Sequence, residues 1–289
     1  MMATPSGVFL WGGETAPPPG GGFLLGDVWA YHRAAGWSRR APVGGEKDGI
    51  SYFDAPSGRI VVFVDTGANF SPASENWSYD PVTDRWEERA IGNRPDLFNP
   101  TGAYDSGSRR FIEFGGDGTT WAYDYAGNAW KEMKPAVHPD GRYFPAMQYD
   151  PVGDRIVLFG GSIDDVGTTE TWTYDYDHDT WRNMHPASAP PLRLHGTMTW
   201  DPASRTMILF GGEEKQAVSP LGDTWAYDPG KNTWTELTPK PSPPARARQA
   251  MAYDEESKTI VMFGGGATPF TFKNDTWIYD PAKNTWTNG

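Results

Sequence analysis

Two tryptophans set eight or nine residues apart recur six times along the chain, and no other feature restricts the fold as strongly. The first of each pair opens a W-x-Y segment, at Trp29, Trp77, Trp121, Trp172, Trp225 and Trp277; the second stands at Trp37, Trp86, Trp130, Trp181, Trp234 and Trp286. Upstream of each pair runs an apolar stretch closing on an aromatic residue and Gly-Gly, as in RIVLFGG (155–161), TMILFGG (206–212) and TIVMFGG (259–265). The first copy reads VFLWGG, and the second has lost the glycine pair and reads IVVFVDTG. The aromatic residue falls at Trp11, Phe63, Phe114, Phe159, Phe210 and Phe263, spacings of 52, 51, 45, 51 and 53. A period near fifty marks stacked supersecondary units, each too small to bury its apolar face alone.

A fourth segment precedes every apolar run but the first: ISYFD, TGAYD, AMQYD, TMTWD and AMAYD. Four short segments per period, separated by Pro, Gly, Asp and Asn, predict four antiparallel strands, a to d. Strand b is apolar at successive positions, so both of its faces are expected to be buried, as in a sheet between two other sheets. In strand c, Trp77 and Tyr79 share a face. Strand d follows a tight turn such as DPVTD, where Asp starts the turn and Pro presets the next φ. Pairing Asp80 with Arg85 across that turn sets Tyr79 opposite Trp86, a cross-strand aromatic clasp repeated in every unit.

The diglycine, the spaced Tyr and Trp and the period near fifty resemble the kelch repeat, and six copies in one order carry the resemblance over essentially the whole chain. It implies an all-β fold, a six-bladed β-propeller of four-stranded antiparallel blades forming one unit over 1–289. The blades lie near 1–41, 46–90, 97–135, 142–186, 193–239 and 246–289. In the first blade only Met1 to Gly7 remain for strand a, and the last blade ends on its d strand. The expectation is a first blade lacking its inner strand, because the chain is a truncated piece or because that blade has three strands. Its inner edge would then be open to an added strand.

Function classes narrow with charge and composition. A formal net charge of -12 repels nucleic acid over most of the surface. Apolar runs such as Ile156 to Phe159 are far short of a membrane span. A soluble, acidic protein is expected, and with no charged-then-apolar leader opening the chain, cytoplasmic and extracytoplasmic placement both stay open. Zero cysteines exclude disulfides, thiolate metal sites and cysteine nucleophiles. DYDHD at 175–179 imitates the start of a calcium loop but lacks its glycine and its later Glu. The five histidines have no metal-site spacing, so no metal and no cofactor is expected.

In an a-b-c-d meander the a–b and c–d turns share one face, and the b–c and d–a loops share the other. The first set is short and stereotyped (DPVGDR, DPASR, DPGKNTW) and is expected to leave no room for a site. The second is long and differs between blades (GGSIDDVGTTE, GGEEKQAVSPLGD, TPKPSPPARARQ), which is where binding residues sit on a rigid scaffold. Counting back seven from the strand-a aromatic gives Arg142, Arg193 and Arg246, but Leu97 and Glu46 in blades three and two; counting back five gives His195 and Arg248. Two roles are open for these arginines. They bond backbone carbonyls as scaffold, as the kelch resemblance implies, or they grip a carboxylate or sugar acid bidentately. Acids follow the glycine pairs at Glu14, Asp117, Asp164, Asp165, Glu213 and Glu214, either as solvated loop charge or as an acid–base set with the arginines.

The functional expectation is a binding or interaction propeller presenting a ligand or protein-docking surface on the b–c and d–a loop face. Its partner is a protein or a small acidic or carbohydrate ligand, met through Arg142, Arg193, His195, Arg246, Arg248, Asp117, Glu213 and Glu214, with no catalytic residue assigned. The alternative is a metal-independent enzyme, a mutarotase, isomerase or lyase acting on an acidic sugar, because sialic acid mutarotases are kelch-like propellers working through arginine and carboxylate groups. Galactose oxidase also resembles the scaffold, but its cysteine-crosslinked tyrosine has no counterpart in a chain without cysteine. The enzyme requires a deep channel-mouth pocket where Arg193, Arg246 or Arg248 reaches Glu213, Glu214 or Asp117; the interaction module requires a broad, shallow surface.

Overall fold

The structure is a computed structural model that describes residues 1–12, 26–42, 48–65, 75–90, 92–95, 97, 99–163, 166–215, 218–267 and 271–289. Consecutive strands build six antiparallel sheets in chain order. Blade 1 holds β1 (Met2–Thr4), β2 (Gly7–Trp11), β3 (Val28–His32) and β4 (Gly36–Arg40). Blade 2 holds β5 (Asp48–Asp54), β6 (Arg59–Asp65), β7 (Glu75–Asp80) and β8 (Arg85–Arg89). Blade 3 holds β9 (Thr101–Asp105), β10 (Arg110–Phe114), β11 (Thr120–Asp124) and β12 (Ala129–Met133). Blade 4 holds β13 (Ala146–Asp150), β14 (Arg155–Phe159), β17 (Thr171–Asp175) and β18 (Thr180–Asn183), with a hairpin of β15 (Ser162–Ile163) and β16 (Val166–Gly167) in its b–c loop. Blade 5 holds β19 (Thr197–Asp201), β20 (Thr206–Phe210), β23 (Thr224–Asp228) and β24 (Thr233–Leu237), with the hairpin β21 (Glu213–Lys215) and β22 (Val218–Pro220). Blade 6 holds β25 (Ala250–Asp254), β26 (Thr259–Phe263), β27 (Thr276–Asp280) and β28 (Thr285–Asn288).

Blade 1 corrects the expectation of a missing inner strand. Met2–Thr4 pairs antiparallel with β2, setting Met2 against Phe9, Ala3 against Val8 and Thr4 against Gly7. Thr4 Oγ1 donates to the Gly7 carbonyl at 2.9 Å and closes the turn. Three residues suffice because β1 packs between β25 of blade 6 and β5 of blade 2, so the ring of inner strands closes without a gap. Blade 2 shows what the lost diglycine did. In blades 4 to 6 the glycines hold positive φ, at Gly160 and Gly161, Gly211 and Gly212, and Gly264 and Gly265, and strand b stops there; in blade 2 the apolar run continues and β6 reaches seven residues.

The b strands are buried on both faces, as the sequence pattern requires: Ile156, Val157, Leu158 and Phe159 pack in two different core clusters, one on each side of blade 4. The Tyr–Trp clasp forms in register in all six blades. Tyr79 pairs with Trp86 beside Asp80 with Arg85, ring centroids 4.9 Å apart, and the other five pairs lie within 4.8–5.1 Å. Such pairs contribute about 0.5–1.5 kcal/mol beyond burial. In blades 2 to 6 the tyrosine hydroxyl donates to an Asp or Asn five residues on, which holds positive φ in the c–d turn (Asp84, Asn128, Asp179, Asn232, Asn284).

Neighbouring blades are tied by the d-strand tryptophans. Trp181, Trp234 and Trp286 each donate Nε1–H to a buried threonine on strand c of the preceding blade, Thr120, Thr171 and Thr224, at 2.9–3.2 Å. Trp37 of blade 1 does the same to Thr276 of blade 6 at 2.8 Å and lies edge-on to Phe263, so the seam is made like the other junctions. Trp86 bonds the Ala41 carbonyl instead. At the junction of blades 2 and 3 an asparagine, Asn76, takes the threonine's place, and Trp130 Nε1 is buried with no hydrogen-bond partner among the described residues.

Candidate functional site

On the loop face, Arg142, Arg193 and Arg246 occupy one position in blades 4 to 6, four residues before the inner strand. Their side chains are 0–1% exposed. Arg193 shows the pattern: Nε donates to the Pro191 carbonyl at 3.1 Å, Nη1 to the Gly211 carbonyl at 3.0 Å, and Nη1 and Nη2 fork onto Asp223 at 2.8 and 2.7 Å. Arg246 repeats it with Pro244, Gly264 and Asp275, and Arg142 with Asp140, Gly160 and Glu170. Each acid also accepts the indole N–H of the c-strand tryptophan two residues on, Trp172, Trp225 or Trp277. Burial works to raise the Asp223 carboxyl, but its bonds from Arg193 and Trp225 outweigh that and hold its pKa below the usual range; at Asp275 the Arg246 fork is the leading cause of the same lowering. The three guanidinium groups thus knot the d–a loop, the diglycine and the end of the b–c loop together, and they have almost no surface to offer a ligand.

Two residues further on, the chain takes positive φ in four successive blades, at Asn99, Phe144, His195 and Arg248. Each stands two residues before its inner strand, at the channel mouth. Such a conformation in a bulky residue such as Phe144 is an outlier that surrounding bonds must hold. Here the His195 N–H donates to the Phe144 carbonyl at 3.0 Å and the Arg248 N–H to the His195 carbonyl at 3.2 Å, linking blades 4, 5 and 6 around the mouth. The His195 ring stacks on Phe144 with centroids 3.9 Å apart.

Glu213, 3% exposed at the start of β21, is where a histidine and an arginine converge. His195 Nδ1 lies 2.8 Å and Arg248 Nη2 2.7 Å from its Oε1. Burial pulls the His195 pKa below its ordinary value, the Glu213 bond opposes this and the Arg248 charge reinforces it. A neutral imidazole at pH 7 therefore donates its Nδ1–H to Glu213. Of the arginine–acid pairs that the enzyme alternative requires, Arg248 with Glu213 forms, while Arg193 and Arg246 take Asp223 and Asp275. Asp117 is spent locally, accepting from the Thr119 N–H and hydroxyl at 3.0 and 2.7 Å, and Glu214 is exposed on β21. Glu14, Glu46, Asp164 and Asp165 lie outside the described residues.

Sequence reasoning passed over one buried pair, Arg94 with Glu113 at 3.2 Å, in which the guanidinium also lies over the Phe63 ring. The only signal was a single Glu inside the apolar run RFIEF. The opposite face also differs from expectation. The channel enclosed by the inner strands has a volume of about 540 Å³, and its lining includes the a–b turn residues Ala55, Ser106, Pro202 and Glu255, so the short-turn face is not closed. A second cavity of about 620 Å³ lies at the rim between Ala136, Val137 and β18. Neither is lined by Arg193, Arg246, Arg248 or Glu213.

Six four-stranded blades in a closed ring, with a bonded polar platform at one mouth, define a β-propeller of the repeat class. Residues 104–289 match the family model described as the KLHDC2/KLHL20/DRC7 Kelch-repeats domain. The chain belongs to the kelch-repeat family. It is similar to alpha-scruin of Limulus polyphemus, 24% identical over 253 residues, which cover 78% of this chain and 26% of that protein. It is similar also to Kelch domain-containing protein 3 of Homo sapiens, 25% identical over 167 residues (53% of this chain, 43% of that protein). Mei4-dependent protein 6 of Schizosaccharomyces pombe is 30% identical over 130 residues (41% and 18%). The chain thus spans less than half the length of each of these relatives.

Proposed function

We propose that this propeller is a protein-docking module whose partner rests on the face carrying the b–c and d–a loops. The observation that carries this reading is the platform of Phe144, His195 and Arg248, held by inter-blade backbone bonds and organised on Glu213. A stacked aromatic with a partly exposed arginine beside it is the composition of interface anchors. The hairpins β15–β16 and β21–β22 flank it in the b–c loops, with Val166 64% exposed. Kelch family membership supports an interaction scaffold over a catalyst, and the acid–base alternative is weakened because Arg193 and Arg246 are fully engaged in buried bonds.

A photo-crosslinking residue placed at position 166, beside the platform, tests this against one at position 152 on an a–b turn of the opposite face. The expected result is crosslinking to a defined protein from position 166 alone, lost in Phe144→Ala/Arg248→Ala. Crosslinking of the same protein from position 152, undiminished in that double variant, overturns the reading.

A further inference from the structure

We propose a second site, in the channel and entered from the short-turn face, that takes an uncharged polyhydroxylated ligand, a neutral saccharide. The volume of about 540 Å³ lies within the roughly 300–1,000 Å³ typical of small-molecule sites. Its chemistry is layered. Next to the a–b turns the lining is aromatic, with Phe53, Tyr104, Trp200 and Tyr253 each one residue before the turn-capping aspartate of its inner strand; Phe53 and Tyr104 are half-buried, while Trp200 and Tyr253 belong mainly to the cores between blades. Deeper in, Ser51, Gln148 and Thr199 supply hydroxyls and an amide, and Thr197, whose hydroxyl donates to the Gln249 carbonyl at 2.6 Å, keeps only its acceptor side. Each inner strand is the edge of its sheet, so alternate backbone N–H and C=O groups along its free side point into the channel. The half-buried rings of Phe53 and Tyr104 followed by neutral donors and acceptors match a sugar, whose C–H groups pack on rings and whose hydroxyls both donate and accept.

Charge decides between sugar classes. Among the described residues lining the channel, Glu255 is the one charged side chain, and it is exposed on the a–b turn of blade 6. A carboxylate or phosphate entering would be desolvated with no counter-charge. This site is therefore distinct in place and chemistry from the platform around Glu213.

The test is titration of the full chain with glucose, galactose, N-acetylglucosamine and maltose, with glucuronate as the charged counterpart of glucose. Binding is read by saturation-transfer NMR and by tryptophan fluorescence, since Trp200 lines the channel. The expected result is saturable binding of at least one neutral sugar, with a dissociation constant on the order of 1 mM or tighter, and glucuronate weaker than glucose by at least tenfold. Thr199→Val and Gln148→Leu, checked for an unchanged urea midpoint, weaken it at least fivefold, while Arg248→Ala leaves it unchanged. No binding up to about 50 mM, equal binding of glucuronate, or binding insensitive to both channel variants with the parent's fluorescence unmoved overturns the proposal and leaves a channel filled by water.

Discussion

Replacing Arg193 by methionine separates scaffold from ligand contact at this position. The substitution keeps chain length and removes a guanidinium that makes four bonds while 1% exposed. It strands the Asp223 carboxylate and the Gly211 and Pro191 carbonyls. Breaking a buried ion pair by removing one partner costs about 3–5 kcal/mol. Asp223 keeps its bond from Trp225 and is 19% exposed, so the lower end, about 3 kcal/mol, applies. The unfolding entropy of a chain of 289 residues is on the order of 0.6 kcal/mol/K, which converts the loss to a Tm about 5 °C lower. Calorimetry and urea denaturation read this directly. Arg248→Met is the contrast, expected to lower Tm by less than Arg193→Met, because that side chain is 29% exposed, gives one side-chain bond to Glu213 against four made by Arg193, and leaves Glu213 its bond from His195. Removing the stranded charge as well, in Arg193→Met/Asp223→Leu, recovers part of the loss. A Tm for Arg193→Met within about 1 °C of the parent refutes the assignment of this arginine to the scaffold.

Two further outcomes follow from the same bonds. Trp37→Phe removes the Nε1 bond to Thr276 at the seam and costs about 1–3 kcal/mol beyond Trp130→Phe, whose Nε1 has no bond to lose among the described residues; equal urea midpoints for the two variants sink this. Asp223 and Asp275 have pKa values lowered by folding, so their contribution is complete above the unfolded carboxylate range near about pH 4 and is lost as pH falls through the lowered folded values. The urea midpoint of the parent therefore drops more steeply below pH 4 than that of Arg193→Met/Arg246→Met, and parallel curves contradict it.

What the sequence made legible was whatever repeats. The clasp of Tyr79 on Trp86 follows from turn length alone, since a four-residue turn after Asp80 fixes the register of everything beyond it. Strand b is legible because apolar residues at successive positions have one meaning in a twisted sheet, burial on both faces. Blade 1 hid its inner strand because Met2–Thr4 has neither the aromatic-Asp ending nor the length of its siblings; closure is supplied by β25 and β5, distant in sequence. The platform was half legible. His195 and Arg248 were found by counting from the strand-a aromatic, but Phe144 at the same offset carries no charge and drew no notice. The positive φ shared by the three is set by inter-blade bonds that no local pattern encodes. The partners of Arg193 and Arg246 were not legible because the nearer acids in sequence, just after the glycines, are not the nearer acids in space; Asp223 and Asp275 return to the guanidinium only after the b–c loop turns back.

The tryptophan-to-threonine bond appears at the junctions of blades 3 and 4, 4 and 5, 5 and 6, and again where blade 6 meets blade 1. A ring whose seam is chemically one of its ordinary joints has no privileged starting point. The order in which the blades are written along the chain is then a convention the finished circle does not remember, and a gene opened between blades 4 and 5, its old ends joined by a short linker, would encode the same circle.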